Sequence, residues 1–261
     1  MIASMPPALI LPGTLSFDLA TALDPVRLAE RAGLIPDDWQ AKVLRSDARR
    51  ILLNCSRQSG KSTVSATLAV HTAVYEPRSL VLLLSPSLRQ SQELFKKCVA
   101  IYRDAGRIVA ADQESALFLT LDNGSRIVSL PGKEGTVRGY SGARLIIIDE
   151  ASRVPDELYM SLRPMLAVSG GRLAALSTPF GTRGWWYDAW RSSGAWDRYE
   201  VPATLCPRIS AEFLEEEQQN MGEWWFRQEY GCEFLDAQSA AFRREDIDNA
   251  FDKEIDTWKL L

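Results

Sequence analysis

The 261-residue chain has a single histidine, His71, set inside a stretch of helical pattern. That leaves no room for catalysis built on histidine and reads as a structural residue. Its four cysteines, at 55, 98, 206 and 232, show no C-x-x-C spacing. Neither a zinc site nor a disulfide framework is indicated, and the thiols read as reduced and mostly buried. The early apolar stretch Ala8 to Leu11 has no basic segment before it and is cut short by Pro12. It reads as neither a signal peptide nor a membrane span. Internal repeats and low-complexity tracts are missing too. Net charge is small, formally −4, but unevenly spread. Residues 1–211 hold 25 Lys and Arg against 20 Asp and Glu, whereas residues 212–261 hold 5 against 14. A mildly basic front part permits an anionic polymer partner without identifying one.

What is present is concentrated in two short segments. Residues 55–63, Cys-Ser-Arg-Gln-Ser-Gly-Lys-Ser-Thr, follow the apolar run Ile51-Leu52-Leu53 and open a helical pattern. A phosphate-binding loop needs a strand that ends abruptly, backbone N–H groups that wrap a phosphate, a lysine for its charge and a hydroxyl for Mg²⁺. Gly60, Lys61 and Ser62 supply the last three parts, although Cys55 stands where the usual G-x-x-x-x-G-K-[ST] pattern begins with glycine. The second segment is Leu145-Ile146-Ile147-Ile148-Asp149-Glu150, a buried-strand pattern ending in two carboxylates. In P-loop NTPases an aspartate so placed holds Mg²⁺ opposite the loop hydroxyl, which gives Asp149 and Ser62 to the metal. Glu150 is then placed to activate the attacking water.

Between and around these segments, strands and helices alternate. The pattern predicts strands at 51–54, 80–84, 145–148 and 173–176 and helices at 61–75, 87–104 and 155–166. A hairpin-like pair is expected near 117–121 and 125–130, around Asp122-Asn123-Gly124. Upstream, Asp24 and Pro25 suit the start of a short helix that Gly33 ends, and a second helix begins near Pro36 to Asp38. Such alternation argues for a mostly parallel sheet flanked by helices, an α/β fold, which with the Gly-Lys-Ser loop and the Asp-Glu strand end resembles the RecA-like P-loop NTPase class. Three regions are expected: an N-terminal arm at 1–35, a P-loop ATPase core at 36–205, and a small helical subdomain or linker at 206–261. The aromatic groups Trp185-Trp186-Tyr187 with Trp190, and Trp224-Trp225-Phe226, read as packing rather than base-stacking platforms.

With those elements in order, the chain resembles the ATPase domain of the large terminase subunit of tailed bacteriophages, over roughly residues 36–250. Pro36-Asp37-Asp38-Trp39-Gln40 is similar to that family's adenine-recognition segment, in which a glutamine amide, here Gln40, pairs with the adenine edge. The loop Ser56-Arg57-Gln58-Ser59-Gly60-Lys61-Ser62, with Thr63 behind it, resembles the terminase variant that tolerates a non-glycine start and carries an early arginine. Leu82 to Gln92 looks like the strand-turn-helix that follows the first ATPase helix. Val137-Arg138-Gly139-Tyr140 stands where terminases place an Arg-Gly, and Ser177-Thr178-Pro179 resembles the coupling motif that senses γ-phosphate.

The resemblance implies ATP and Mg²⁺ as cofactors and ATP hydrolysis coupled to movement of double-stranded DNA into a procapsid. Arg57 becomes a candidate charge stabiliser in cis, and Arg138 a finger supplied in trans to the next subunit, with Arg144 as the next candidate for that role. The implied partners are double-stranded DNA, a portal protein and a small terminase subunit. The chain is expected to form a homo-oligomeric ring on the procapsid, to be a monomer when isolated, to involve no membrane, and to work in the cytoplasm of the infected bacterial host. Large terminases also carry a nuclease domain, and the chain reads as the motor half alone, ending soon after Phe242 to Ile247. Two other readings compete. A superfamily 2 helicase shares much of the motif set but needs a second RecA-like domain, for which the roughly 80 residues after Pro179 are too few. A regulatory ATP-binding module would have no need of Glu150.

Overall fold

The computed structural model describes residues 15–132, 134–137 and 139–236. At its centre the described residues form one eight-stranded sheet in the order β3-β4-β5-β2-β6-β7-β1-β8. The strands are β1 Arg50–Cys55, β2 Leu80–Ser85, β3 Ala111–Glu114, β4 Phe118–Leu121, β5 Arg126–Pro131, β6 Leu145–Asp149, β7 Arg172–Ser177 and β8 Asp197–Val201. Pairing is parallel from β5 through β2, β6, β7 and β1 to β8, while β3 and β4 add an antiparallel edge. The helices are α1 Leu15–Leu23, α2 Pro25–Arg31, α3 Asp38–Arg45, α4 Lys61–Tyr75, α5 Leu88–Asp104, α6 Glu134–Val137, α7 Asp156–Ser169, α8 Gly184–Arg191, α9 Ala211–Met221 and α10 Glu223–Glu229. None of the described helices is long and apolar enough to cross a membrane.

The helical crossovers that make the sheet parallel cover both its faces, and its central strands are accordingly apolar on both. Ile146, Ile147 and Ile148 of β6 are wholly buried, as are Leu82, Leu83 and Leu84 of β2. Each such side chain contributes about 1.5–3 kcal/mol when removed from water. Alternate residues feed two cores. Ile51, Leu53, Val81, Leu83 and Ile147 pack under α4 and α5, and Leu52, Leu82, Leu84, Ile146 and Ala175 pack with α7 and α8. The described part of the expected N-terminal arm is itself packed: Val26, Leu28 and Ala29 of α2 belong to the α4 side of the core. Its start follows the sequence signals, with the Asp24 carboxylate accepting the Val26 N–H at 3.0 Å and Pro25 at the first helical position.

Several elements had no counterpart in the sequence pattern, the short α6 among them. β3 is four exposed residues, Ala-Asp-Gln-Glu, with no alternation to read. β8 is a half-exposed edge strand that acquires its identity from β1, pairing Leu53 with Tyr199 and Cys55 with Val201. α1 presents Leu15, Leu19 and Leu23 to solvent. In α8 the N-terminal cap comes from elsewhere in the chain, the Asp156 carboxylate accepting the Trp185 N–H at 2.8 Å.

Candidate active site

β1 stops at Cys55, and the next five residues turn back into α4. Three features shape that turn. The Ser59 hydroxyl donates to the Ser56 carbonyl at 3.0 Å, Gln58 takes a positive φ of 57°, and Gly60 takes a φ of 94°. A left-handed backbone suits glycine because it has no Cβ. Here the space is also closed, since a Cβ on Gly60 would lie 2.6 Å from Gln40 Nε2. The loop amides and the start of α4 then stand at the end of β1 in the arrangement that suits a phosphate.

At the carboxyl end of β6, on the same edge of the sheet, Asp149 is buried and Glu150 half-buried. Burial, together with the neighbouring Glu150 charge, pushes the Asp149 carboxyl up to about 6, against the opposing pull of Lys61 and of the Glu150 N–H that donates to it at 3.0 Å. Glu150 sits in the left-handed region, φ 51° and ψ 44°. A non-glycine residue is held there only when its surroundings fix it, and such residues gather at functional sites. Its Oε1 lies 3.7 Å from Lys61 Nζ, so the loop lysine and the last carboxylate of the second motif meet. Ser62 follows Lys61 in the first turn of α4. Its hydroxyl and the Asp149 carboxylate are hard oxygen donors of the type Mg²⁺ takes, and no group of three or more His, Cys, Asp or Glu suited to a metal exists among the described residues. That donor set fits a Mg²⁺ ion completed by phosphate oxygens and water rather than by a protein cage.

Beside the loop is a cavity of about 370 Å³, walled by Leu34, Ile35, Pro36, Gln40, Val64 and Arg208. Its size and apolar walls with a few polar groups suit a small organic ligand. Gln40 is buried, with its Oε1 accepting the Asp37 N–H at 2.9 Å. Arg208 closes the other side, donating to the Asp37 carboxylate at 2.7 Å and to the Ser59 carbonyl at 2.8 Å. Sequence reasoning passed over Arg208. It lies in a loop with no motif around it, about 150 residues from the atoms it touches.

The remaining candidates are placed as follows. Arg57 is tied to α10, its N–H donating to the Glu229 carbonyl at 3.0 Å and its Nε to the Glu229 carboxylate at 2.6 Å. Ser177 shares a 2.7 Å hydroxyl contact with Ser152, two residues past Glu150, and accepts the Ser152 N–H at 3.2 Å. Thr178 and Pro179 follow it, both buried. Arg138 lies outside the described residues. Arg144 stands at the opposite end of β6 from Asp149, with its guanidinium paired to Glu76.

The family model for the terminase large subunit, T4likevirus-type, N-terminal, matches residues 52–249. This chain belongs to that terminase large-subunit family. The terminase large subunit of Thermus virus P23-45 is 26% identical over 255 residues, an alignment covering 84% of this chain and 52% of the relative. This terminase chain therefore spans about half the length of the curated relatives it matches. Among solved structures, the large terminase ATPase domain of Thermus phage P74-26 superimposes with a TM-score of 0.70 at 24% identity, over 79% of this chain and 97% of that one. The large terminase of another thermophilic bacteriophage, in complex with ADP, gives 0.65 at 14% identity, over 77% of this chain and 54% of that one. The RecA-like terminase fold expected from the sequence is thus the fold observed.

Proposed function

We propose that this chain is the ATPase motor of a terminase large subunit, hydrolysing ATP with Mg²⁺ to drive double-stranded DNA into a procapsid. The observation that carries the reading is the meeting of Lys61 with Glu150 beside buried Asp149, at the carboxyl ends of β1 and β6. Lys61 and the loop amides bind the β- and γ-phosphates. Ser62 and Asp149 would hold Mg²⁺, which would neutralise phosphate charge there. Glu150 takes the proton of the attacking water, and its backbone strain keeps the carboxylate aimed across the loop. Phosphate arriving at Lys61 competes with Glu150 for the ammonium and frees the carboxylate for that task. The cavity beside Gln40 takes the adenine base.

Arg138 remains the proposed finger in trans, within a homo-oligomeric ring on the procapsid, with a portal protein and a small terminase subunit as partners. The setting is the infected bacterial cytoplasm. Fingers supplied by a neighbour are worth on the order of 10³ to 10⁵ in turnover, so dispersed monomers should hydrolyse slowly. The test is ATP turnover of the chain alone, with linear DNA, and with DNA plus procapsids. Turnover should rise at each step and vanish in Glu150→Ala. Turnover indifferent to both additions would contradict the motor reading, and turnover retained in Glu150→Ala would contradict its chemistry.

A further inference from the structure

Asn54 is the next-to-last residue of β1, fully buried between β7 and the edge strand β8, in a strand whose other buried residues, Ile51, Leu52, Leu53 and Cys55, are apolar. Its side chain reaches out of the sheet toward the C-terminal helical pair. Asn54 Nδ2 donates to the Cys232 carbonyl at 2.8 Å. The receiving residue is in an unusual state, for Cys232 has a positive φ of 62°. The other amide atom, Asn54 Oδ1, is buried with no donor. A buried acceptor left unpaired is costly and calls for an explanation.

The neighbour on the adjacent strand supplies one. Asn54 pairs directly with Ser177 in the parallel β1–β7 register, and two residues earlier the pair Leu52 and Ala175 shares the α7 side of the core. Strand side chains alternate, so Asn54 and Ser177 face the same side, next to each other. The Ser177 hydroxyl is engaged by Ser152, in the turn that Glu150 begins. Ser177 has one proton and two acceptors to choose from, Ser152 Oγ and Asn54 Oδ1.

We infer that Asn54 is a positioning residue that passes the nucleotide state from the Glu150–Ser152 turn, through Ser177, to the segment at Cys232 and so to α10. When phosphate draws Lys61 away from Glu150, the turn shifts and loosens the Ser152–Ser177 contact. The Ser177 hydroxyl then rotates to donate to Asn54 Oδ1, and the reoriented amide alters its hold on the Cys232 carbonyl. Two discrete hydrogen-bond arrangements of one hydroxyl make the element bistable, as transmission between sites requires. The same segment contains a second group primed for exchange of partners: Gln228 of α10 is buried with both amide atoms unpaired.

The inference rests on nucleotide binding at Lys61, and its test separates the two. Hydrogen exchange is followed at the amides of Tyr230, Gly231 and Glu233, which are hydrogen-bonded to Phe226 and Arg227 carbonyls, without nucleotide and at saturating ATPγS, with the heat of binding measured on the same sample. In the parent chain ATPγS should change these exchange rates about tenfold or more. In Asn54→Leu, which keeps volume and loses the amide, the change should fall within about twofold. Ser177→Ala should lose the response and Ser177→Thr, which keeps the hydroxyl, should retain it. A full response in folded Asn54→Leu overturns the relay, and if that variant fails to fold, a full response in Ser177→Ala does so. A parent chain that binds ATPγS with no change at 230–233 also overturns the relay, leaving the ATPase reading intact. No heat of binding in the parent would overturn both.

Discussion

The sheet and the C-terminal helical pair are held by different physics. β1, β2, β6 and β7 are buried on both faces, and the Ser56–Gly60 turn leads from the carboxyl end of β1 into α4. α9 contains no buried residue, carries Glu212, Glu215, Glu216 and Glu217, and its fold partner α10 contributes Gln228 and Glu229 to the interior. Polar links join the pair and the segment after it to the site, Arg57 to Glu229, Asn54 to the Cys232 carbonyl and the Ala203 N–H to the Tyr230 carbonyl, while Phe234 packs on Tyr187 and Trp190. Apolar packing is non-directional and resists sliding, whereas hydrogen bonds can exchange partners at little net cost. A rigid sheet therefore holds the meeting of Lys61 and Glu150 in place, and in the proposed relay the polar junction lets an adjoining part respond to it.

The largest effect should come from the sheet. Ile147→Ala, in the centre of β6, should cost about 2–5 kcal/mol and lower the melting temperature of the whole described domain cooperatively. A change confined to one face would break the contrast drawn here.

A smaller and local effect is expected at the junction. Arg57 is well exposed while Glu229 is nearly buried, so solvent screening limits their pair to about 1 kcal/mol. Arg57→Ala should therefore raise hydrogen exchange in 223–233 and leave that of β2 and β6 unchanged. Equal loss of protection in the sheet would show that the two regions are one cooperative unit.

The smallest effect concerns His71, in the last third of α4 beside Thr21 and Tyr75. Burial pushes its imidazole below its ordinary value, against backbone contacts with Thr21 and Ala22 that raise it. A depressed value means that the unfolded chain takes up the proton first, so stability is full above about pH 6.5 and declines as pH falls below it. Denaturant midpoints between pH 8 and pH 5 should show that decline, and His71→Gln should flatten it.

Much of the site was legible because local chemistry dictates it. The Gly-Lys-Ser turn, the β-branched run of β6 and the Asp-Glu that ends it each announce themselves within a few residues, and the alternation of strands and helices gave the sheet. The helices at Lys61–Tyr75 and Leu88–Asp104 agree with the pattern to within a residue. Features decided by distant partners were hidden. β8 has meaning only beside β1, α8 is capped by Asp156, and Arg208 reaches Ser59 and Asp37 across the fold. Asn54 looked like the polar end of a strand, and only the register with Ser177 and the reach to Cys232 set it apart. The expected linker residues Phe242 to Ile247 lie outside the described residues, as does Arg138.

The central claim is that Lys61 binds the nucleotide while Glu150 acts on it afterwards. Calorimetric titration of ATP into Lys61→Ala and Glu150→Ala, side by side, addresses it directly. Lys61→Ala should lose about 100-fold or more in affinity, since the buried ammonium proposed to bind phosphate is removed. Glu150→Ala should bind within about threefold of the parent, because its carboxylate acts on the transition state rather than the bound substrate. Equal loss of binding in the two variants would contradict the account.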